Sequence, residues 1–225
     1  MKKVFVIVAH PDDEILGCGG TIARLAAEDN KVFTLILGEG ITSRDEKRDV
    51  RKRDKEIRRL KKQAIRANKI IGVEKVFTHD FPDNRFDVVP LLDIVKVIEK
   101  IKCQLAPDII FTHYEKDLNV DHQLTYRAVI TATRPLASET AGEVYSFEIP
   151  SSTEWNYPLN FYPDVFFDTT NFLKLKLQAI RRYKLEIQQP VHPRSFEGIK
   201  LNAQYWGMKI GVKYAEAFKC IRIIK

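Results

Sequence analysis

Val4, Phe5, Val6, Ile7 and Val8 stand in an unbroken row and are then cut off by His10, Pro11, Asp12, Asp13 and Glu14. An apolar run with no polar alternation has no face to offer to water, so it reads as a strand buried on both sides, the kind found in a parallel sheet sandwiched between helices. The rest of the chain repeats this rhythm. Gly17 to Gly20 give a flexible lead into a helix whose stripe is Ile22, Leu25 and Ala26, and Lys31 to Leu37 form a second strand followed by a loop over 38–43. Between Arg44 and Ile71 the apolar positions Ile57, Leu60, Ala64, Ala67 and Ile71 recur at steps of three and four, one face of a helix. Val76 to Thr78 is a brief strand, Asp80 to Pro90 an irregular loop, and Leu91, Ile94, Ile98 and Ile101 mark a helix that stops before Pro107. Ile109 to Thr112 is the fourth strand, and Asp121 opens a helix through Val129. Strands alternating with helices in this way predict an α/β fold: a mainly parallel sheet with helices on both faces. Beyond Glu143 the pattern is less regular. Val144 to Ile149 and Val165 to Phe167 read as strands, Phe172 to Tyr183 as a helix, and Ala217 to Ile224 as a final strand. At 225 residues, with no composition break or repeat, the chain reads as one domain over 1–225.

Charge narrows the partners. The formal net charge of +7 favours anionic small molecules or surfaces, and 12 of the 37 basic residues fall between Arg44 and Arg66. Asp45, Glu46, Asp49, Asp54 and Glu56 are interleaved with them, which fits a solvated helix laced with salt bridges, with a docking surface as the other reading. That stretch holds no aromatic residue, so base stacking on nucleic acid is not expected. Cys18, Cys103 and Cys220 have neither the spacing nor the even number of a disulfide framework, which points to a reducing cytoplasm. The opening apolar run is too short for a signal peptide, and no run reaches the ~18 residues of a membrane span.

Two polar clusters follow strands: His10 to Glu14 after the first, and His113 through Asn119, Asp121 and His122 after the fourth. In an open parallel sheet the loops beyond the carboxyl ends of the strands converge on one crevice, so segments a hundred residues apart are brought together. Imidazole and carboxylate are zinc ligands, and a catalytic zinc commonly takes three from the protein. His10, Asp13 and His122 could supply them, with Asp12 left over as a general base. The same residue types also serve simpler purposes: Asp12 and Asp13 as helix caps, His10 bonding a backbone carbonyl.

The run AHPDDE at 9–14 after the first strand, with the DH pair at 121–122 after a later one, resembles the PIG-L or LmbE-like family of zinc-dependent N-acetylglucosaminyl deacetylases. GCGGTIA at 17–23, PDNRFD at 82–87, DLNVDH at 117–122 and SSTEW at 151–155 resemble, in the same order, stretches of bacterial members associated with surface-polysaccharide or glycoconjugate synthesis. The resemblance implies a Rossmann-like fold, one Zn²⁺ held by His10, Asp13 and His122, and Asp12 as the base that activates the metal-bound water. It implies a role for Asp121 in orienting a neighbouring group, and Glu14 either pins the same loop or serves the helix start. Many relatives read HPDH where this chain has Asn119 to His122, so a histidine used in proton transfer is replaced by asparagine, which donates a hydrogen bond but no proton. The expectation is that Asn119 stabilises the oxyanion, while protonated Asp12 or His113 serves the leaving amine. Arg85 and Arg194 are candidate clamps for a substrate phosphate or carboxylate, or structural ion pairs, and Trp155 a stacking platform for a sugar or core filling. His79 is expected to be non-catalytic, and Cys18 a small buried hydrophobe.

The expected activity is removal of the acetyl group from an N-acetylated small-molecule sugar, free or carried on a nucleotide or phosphate. Folds of this class frequently self-associate, so a homo-oligomer is compatible with the chain. A catalytically altered sugar- or nucleotide-binding protein, or a hydrolase of another small N-acyl amide, is the alternative. A dinucleotide fingerprint fails because Ile22 stands where the third glycine belongs, and there is no GxSxG for a serine hydrolase.

Overall fold

The computed structural model describes residues 1–224. The elements run β1 (Lys3–Val8), α1 (Asp13–Ala27), β2 (Lys31–Gly38), α2 (Val50–Ile70), β3 (Lys75–Phe81), α3 (Leu91–Leu105), β4 (Ile109–His113), α4 (Val120–Ala132), β5 (Glu143–Phe147), β6 (Val165–Asp168), α5 (Leu173–Ile180), α6 (Phe196–Ile210) and β7 (Ala215–Ile223). The seven strands form one sheet in the order β3-β2-β1-β4-β5-β7-β6. The five from β3 to β5 are parallel, and β7 and β6 close the far edge antiparallel, so the expected mainly parallel sheet is what forms.

The opening run behaves as its composition requires. Val4, Val6 and Val8 face a core layer built with Ile15, Ile22, Ile57, Leu60 and Ile180 from α1, α2 and α5. Phe5, Ile7 and Ala9 face the opposite layer, with Ile94 and Ile98 of α3 and Ala128 and Val129 of α4. Every residue from Val4 to Ala9 is 0% exposed, so neither face of β1 could carry a polar side chain without desolvating it.

The glycines at 17–20 do not make a flexible turn. They lie inside α1, where a Cβ on Gly17 would sit 2.2 Å from the Phe147 ring of β5 and one on Gly20 would sit 2.9 Å from Thr169, so they let α1 press closely on its neighbours. The charged segment becomes helical only at Val50, after Asp49, whose side chain accepts from the backbone N–H of Lys52 and caps the helix. A helix absent from the sequence reading, α6, is started by Ser195, which accepts from Gly198 N. It holds two glycines and buries only Ile199, Ala203, Trp206 and Gly207, a stripe too thin to stand out as a period. Among the described residues no helix is long and apolar enough to cross a membrane.

The chain runs outward from β1 through β2 to β3, then returns to lay β4 on the other side of β1. That reversal opens a crevice between the carboxyl ends of β1 and β4, the place where ligands collect in such sheets.

Candidate active site

Ala9 leaves β1 and the next residue, His10, enters the crevice; β4 ends on His113, and α4 begins just beyond at Val120. The fold therefore brings the two polar clusters together. His10 Nδ1 lies 3.2 Å from His122 Nε2, and Asp13 Oδ2 lies 3.4 Å from the first and 3.3 Å from the second. Those three atoms make a nearly equilateral triangle. Around a tetrahedral zinc with bonds of about 2.0–2.1 Å, neighbouring ligand atoms stand about 3.3 Å apart, so the donor set fits the ion without rearrangement.

The outer nitrogens of both rings are braced. His10 Nε2 is 3.0 Å from Asp121 Oδ2, and the other oxygen of Asp121 accepts from Phe86 N at 2.8 Å. His122 Nδ1 is 3.0 Å from Asp117 Oδ1, and Asp117 is itself held by the hydroxyls of Ser152 and Thr153. A carboxylate thus stands behind each imidazole, hydrogen-bonded to His10 and in ion-pair contact with His122, the arrangement ligating histidines usually have. A second group, His10, Asp83 and Asp121, also lies close enough to hold a cation, through the opposite nitrogen of His10.

The field around the crevice is strongly negative. Asp12, Asp13, Asp83, Asp117 and Asp121 are each at most 3% exposed. Burial works against charge on His122, yet Asp13 and Asp117 raise it to about 9; His10 is likewise raised against burial by Asp121 and Asp13. Asp13 shows the reciprocal effect: burial pushes its pKa up, but the neighbouring histidines hold it well below the usual carboxylate range. The carboxylates thus favour positive charge where the three donors meet, which a divalent cation would supply with no proton on either inward-facing nitrogen.

Asp12 is held differently. Its backbone has φ 108°, a conformation costly for a residue with a side chain, and its N–H is fixed by Glu14 Oε2 at 3.1 Å. Glu14 is anchored in turn by Tyr183 Oη at 2.6 Å and Asn68 Nδ2 at 2.7 Å. Of the two roles open to Glu14, pinning the loop is the one its bonds describe. The Asp12 carboxyl lines the cleft, and burial raises its pKa well above the ordinary value, against the pull of Arg194, whose Nη1 lies 3.4 Å from Asp12 Oδ2. Arg194 is tied down by Pro150 O and Ser151 Oγ, so it stands beside Asp12 as a fixed charge.

Asn119 also lines the cleft. Its oxygen caps α4 by accepting from Asp121 N at 2.8 Å, and its Nδ2 donates to Asn84 Oδ1 at 2.7 Å, leaving one amide hydrogen for a ligand.

Three of the expected site residues are elsewhere. His113 is 0% exposed, behind the cleft: its Nε2 accepts from Ala9 N at 2.9 Å and its ring stacks on His122 at 4.0 Å. Burial and the charge on His122 push its pKa well down, so it is a neutral strut without access to a leaving group. Arg85 is exposed and outside the cleft; the turn at Asn84, with φ 52°, sends Asp83 and Asn84 inward instead. Trp155 is 40% exposed and packs edge-on against His192, outside the cleft wall. Of the remaining expectations, His79 packs on Phe81 away from the cleft, and Cys18 is buried in the core.

The sequence reading missed Asp83 and Asp117, although both lie within the stretches PDNRFD and DLNVDH. Tyr183 and Asn68 gave no local signal at all.

Residues 5–133 match the PIG-L family, described as GlcNAc-PI de-N-acetylase. The chain belongs to the PIG-L family. That span holds every cleft residue from His10 to His122, while Arg194 lies beyond it. The chain is similar to a protein described as uncharacterized deacetylase YaiS from Escherichia coli (strain K12), 30% identical over 189 residues, covering 81% of this chain and 91% of that protein. It is 28% identical to diacetylchitobiose deacetylase from Thermococcus kodakarensis over 231 residues, 98% of this chain and 84% of the relative. Among solved structures it resembles the conserved protein TT1542 from Thermus thermophilus, with a TM-score of 0.78, 25% identity and coverage of 100% and 97%.

Proposed function

We propose that this PIG-L protein is a zinc-dependent hydrolase that removes the acetyl group from an N-acetylated, GlcNAc-like sugar. The observation that carries the reading is the triangle of His10 Nδ1, Asp13 Oδ2 and His122 Nε2 with edges of 3.2–3.4 Å, set beside the buried carboxyl of Asp12. The relatives' names, a diacetylchitobiose deacetylase among them, supply the substrate class.

His10, Asp13 and His122 would hold the ion, which when bound polarises an amide carbonyl and lowers the pKa of water to about 7. Asp12 takes the proton from the attacking water. As the carbonyl carbon becomes tetrahedral, the free amide hydrogen of Asn119 faces the developing oxyanion. When the carbon–nitrogen bond breaks, Asp12 returns its proton to the departing amine, leaving acetate and a free amino sugar. Burial raises the pKa of this carboxyl above its ordinary value, the direction that favours its holding the proton between the two steps. The charge of Arg194 pulls the Asp12 pKa down against burial, and Glu14 holds the Asp12 backbone N–H at the mouth of α1.

The test is to incubate zinc-loaded protein with N-acetylglucosamine, diacetylchitobiose and UDP-N-acetylglucosamine, and to follow acetate by proton NMR. Acetate release from at least one is expected, with Asp12→Asn slower by about 10²–10⁴-fold at unchanged zinc content. Equal rates for Asp12→Asn and the parent would remove Asp12 from the mechanism.

A further inference from the structure

The basic helix has two unlike halves. In its first turns acids stand among the cations and pair with several of them: Arg53 with Asp45 and Glu56, Lys52 with Asp45, and Arg58 with Asp54. From Arg58 to Lys69 the sequence contains no acid at all. Arg59, Lys62 and Arg66 fall at steps of three and four, so they share one stripe of α2, where like charges repel. Across from them, just past the end of α5, stand Arg181, Arg182 and Lys184, and the two sets line a cavity of about 300 Å³ whose only other lining residue is Gln63. Among the described residues none of these six cations has a carboxylate partner; Lys61, on the neighbouring stripe, pairs with Asp80, and Arg44 with Glu186. Arg181 is held over the Phe196 ring at 4.9 Å, which steadies one guanidinium in place.

The position matters as much as the charge. Leu60 and Glu186 line the active cleft, while Arg59, Gln63 and Lys184, one to three residues away on the same two segments, line the basic cavity. The two cavities therefore draw part of their linings from the same two segments. Six unneutralised cations converging on one space are stabilised by a ligand of high negative charge density, and guanidinium pairs suit phosphate oxygens.

We infer that this cavity is a diphosphate site, and that the substrate is an N-acetyl sugar joined through a diphosphate to its carrier, with the acetamide in the cleft and the diphosphate between α2 and the end of α5. This rests on the deacetylase reading for its sugar half only.

Binding is measured by calorimetry with UDP-glucose, which carries the diphosphate but no acetamide, so the result does not depend on turnover; glucose is the control. The zinc-loaded protein should bind UDP-glucose and not glucose, and the affinity should fall with added salt. Arg66→Gln/Arg182→Gln should weaken it at least tenfold, and so should Lys62→Gln/Lys184→Gln, a second pair that guards against a folding defect in the first. Lys96→Gln, which removes a cation from α3 in the opposite layer, should leave it within about threefold. No binding by the parent protein, or equal binding by both double variants, would overturn the site. In kinetics, KM for UDP-N-acetylglucosamine or for polyprenyl-diphosphate N-acetylglucosamine should rise at least tenfold in the double variants while that for free N-acetylglucosamine stays constant; whichever of the two responds identifies the carrier. Unchanged KM for both would overturn the substrate assignment, and tighter binding of a short RNA than of UDP-glucose, lost in the same variants, would overturn it in favour of nucleic acid. Absence of acetate from every sugar would count against the deacetylase reading and leave the calorimetric result standing by itself.

Discussion

Replacing Lys176 with methionine removes the one cation in a buried cluster that ties three elements together. Its ammonium lies 2.6 Å from Glu216 Oε1 and 2.8 Å from Leu16 O, and the side chains of both members of the pair are at most 7% exposed. Glu216, on β7, also accepts from Gly20 N, Thr21 N and Thr21 Oγ1, so it clamps α1 just after the irregular turn at Cys18. Methionine fills the aliphatic volume and leaves the carboxylate buried without its counterion. Breaking a buried pair from one side costs about 3–5 kcal/mol, and for a chain of this length each kcal/mol lowers Tm by about 2–4 °C, so the expected fall is about 6–20 °C. Urea unfolding followed by circular dichroism gives the free energy directly. The double variant Lys176→Met/Glu216→Gln should recover part of the loss, because the glutamine oxygen still accepts from the α1 backbone while the stranded charge is gone. A cost under 1 kcal/mol for Lys176→Met, or a double variant no more stable than the single one, would refute the clamp.

Asp13→Ala should abolish stoichiometric zinc, measured by plasma mass spectrometry after dialysis, whereas Asp83→Ala should retain it; the opposite pattern would move the ion to the second group, on the other side of His10. Gly17→Ala should destabilise by about 1–3 kcal/mol in urea, since its methyl would sit 2.2 Å from the Phe147 ring; an unchanged midpoint would mean that α1 can shift freely. Glu148 accepts from Trp206 Nε1 at 2.6 Å and Asn202 Nδ2 at 3.0 Å, and burial raises its pKa above 4.5 in spite of them. The folded state therefore holds this proton more tightly than the unfolded chain, so the group's contribution is complete below about 4.5 and is lost as pH rises through the higher folded value. Relative to Glu148→Gln, the parent should lose stability on going from pH 4.5 upward; parallel curves would show that Glu148 does not titrate abnormally.

How much of the cleft could be read in advance depended on whether a residue's neighbours in sequence are also its neighbours in space. His10, Asp12 and Asp13 follow a strand whose burial is written in five apolar letters, so their arrival at the sheet edge needed only local pattern. Asp121 and His122 sit in the first turn of a helix after another such strand, and the same argument held. Arg85 and Trp155 lie in loops, where direction is set by single dihedral angles such as the positive φ of Asn84, so local pattern did not decide on which side of the cleft wall they stand. His113 closes a strand, whose last residue can face the crevice or the layer behind it, and the stacking against His122 decides which.

The sequence by itself determined the alternation of strands and helices, the burial of β1 on both faces, and the pair of polar clusters at one edge, because hydrophobic period and strand length are properties of contiguous residues. Only the tertiary structure decided which nitrogen of each histidine faces inward, that Glu14 answers to Tyr183 and Asn68, and that Arg59, Lys62 and Arg66 confront three further cations 115 or more residues away. The physical reason is that electrostatic and hydrogen-bond energies depend on distances across the fold, and those distances do not exist until the hydrophobic layers have closed.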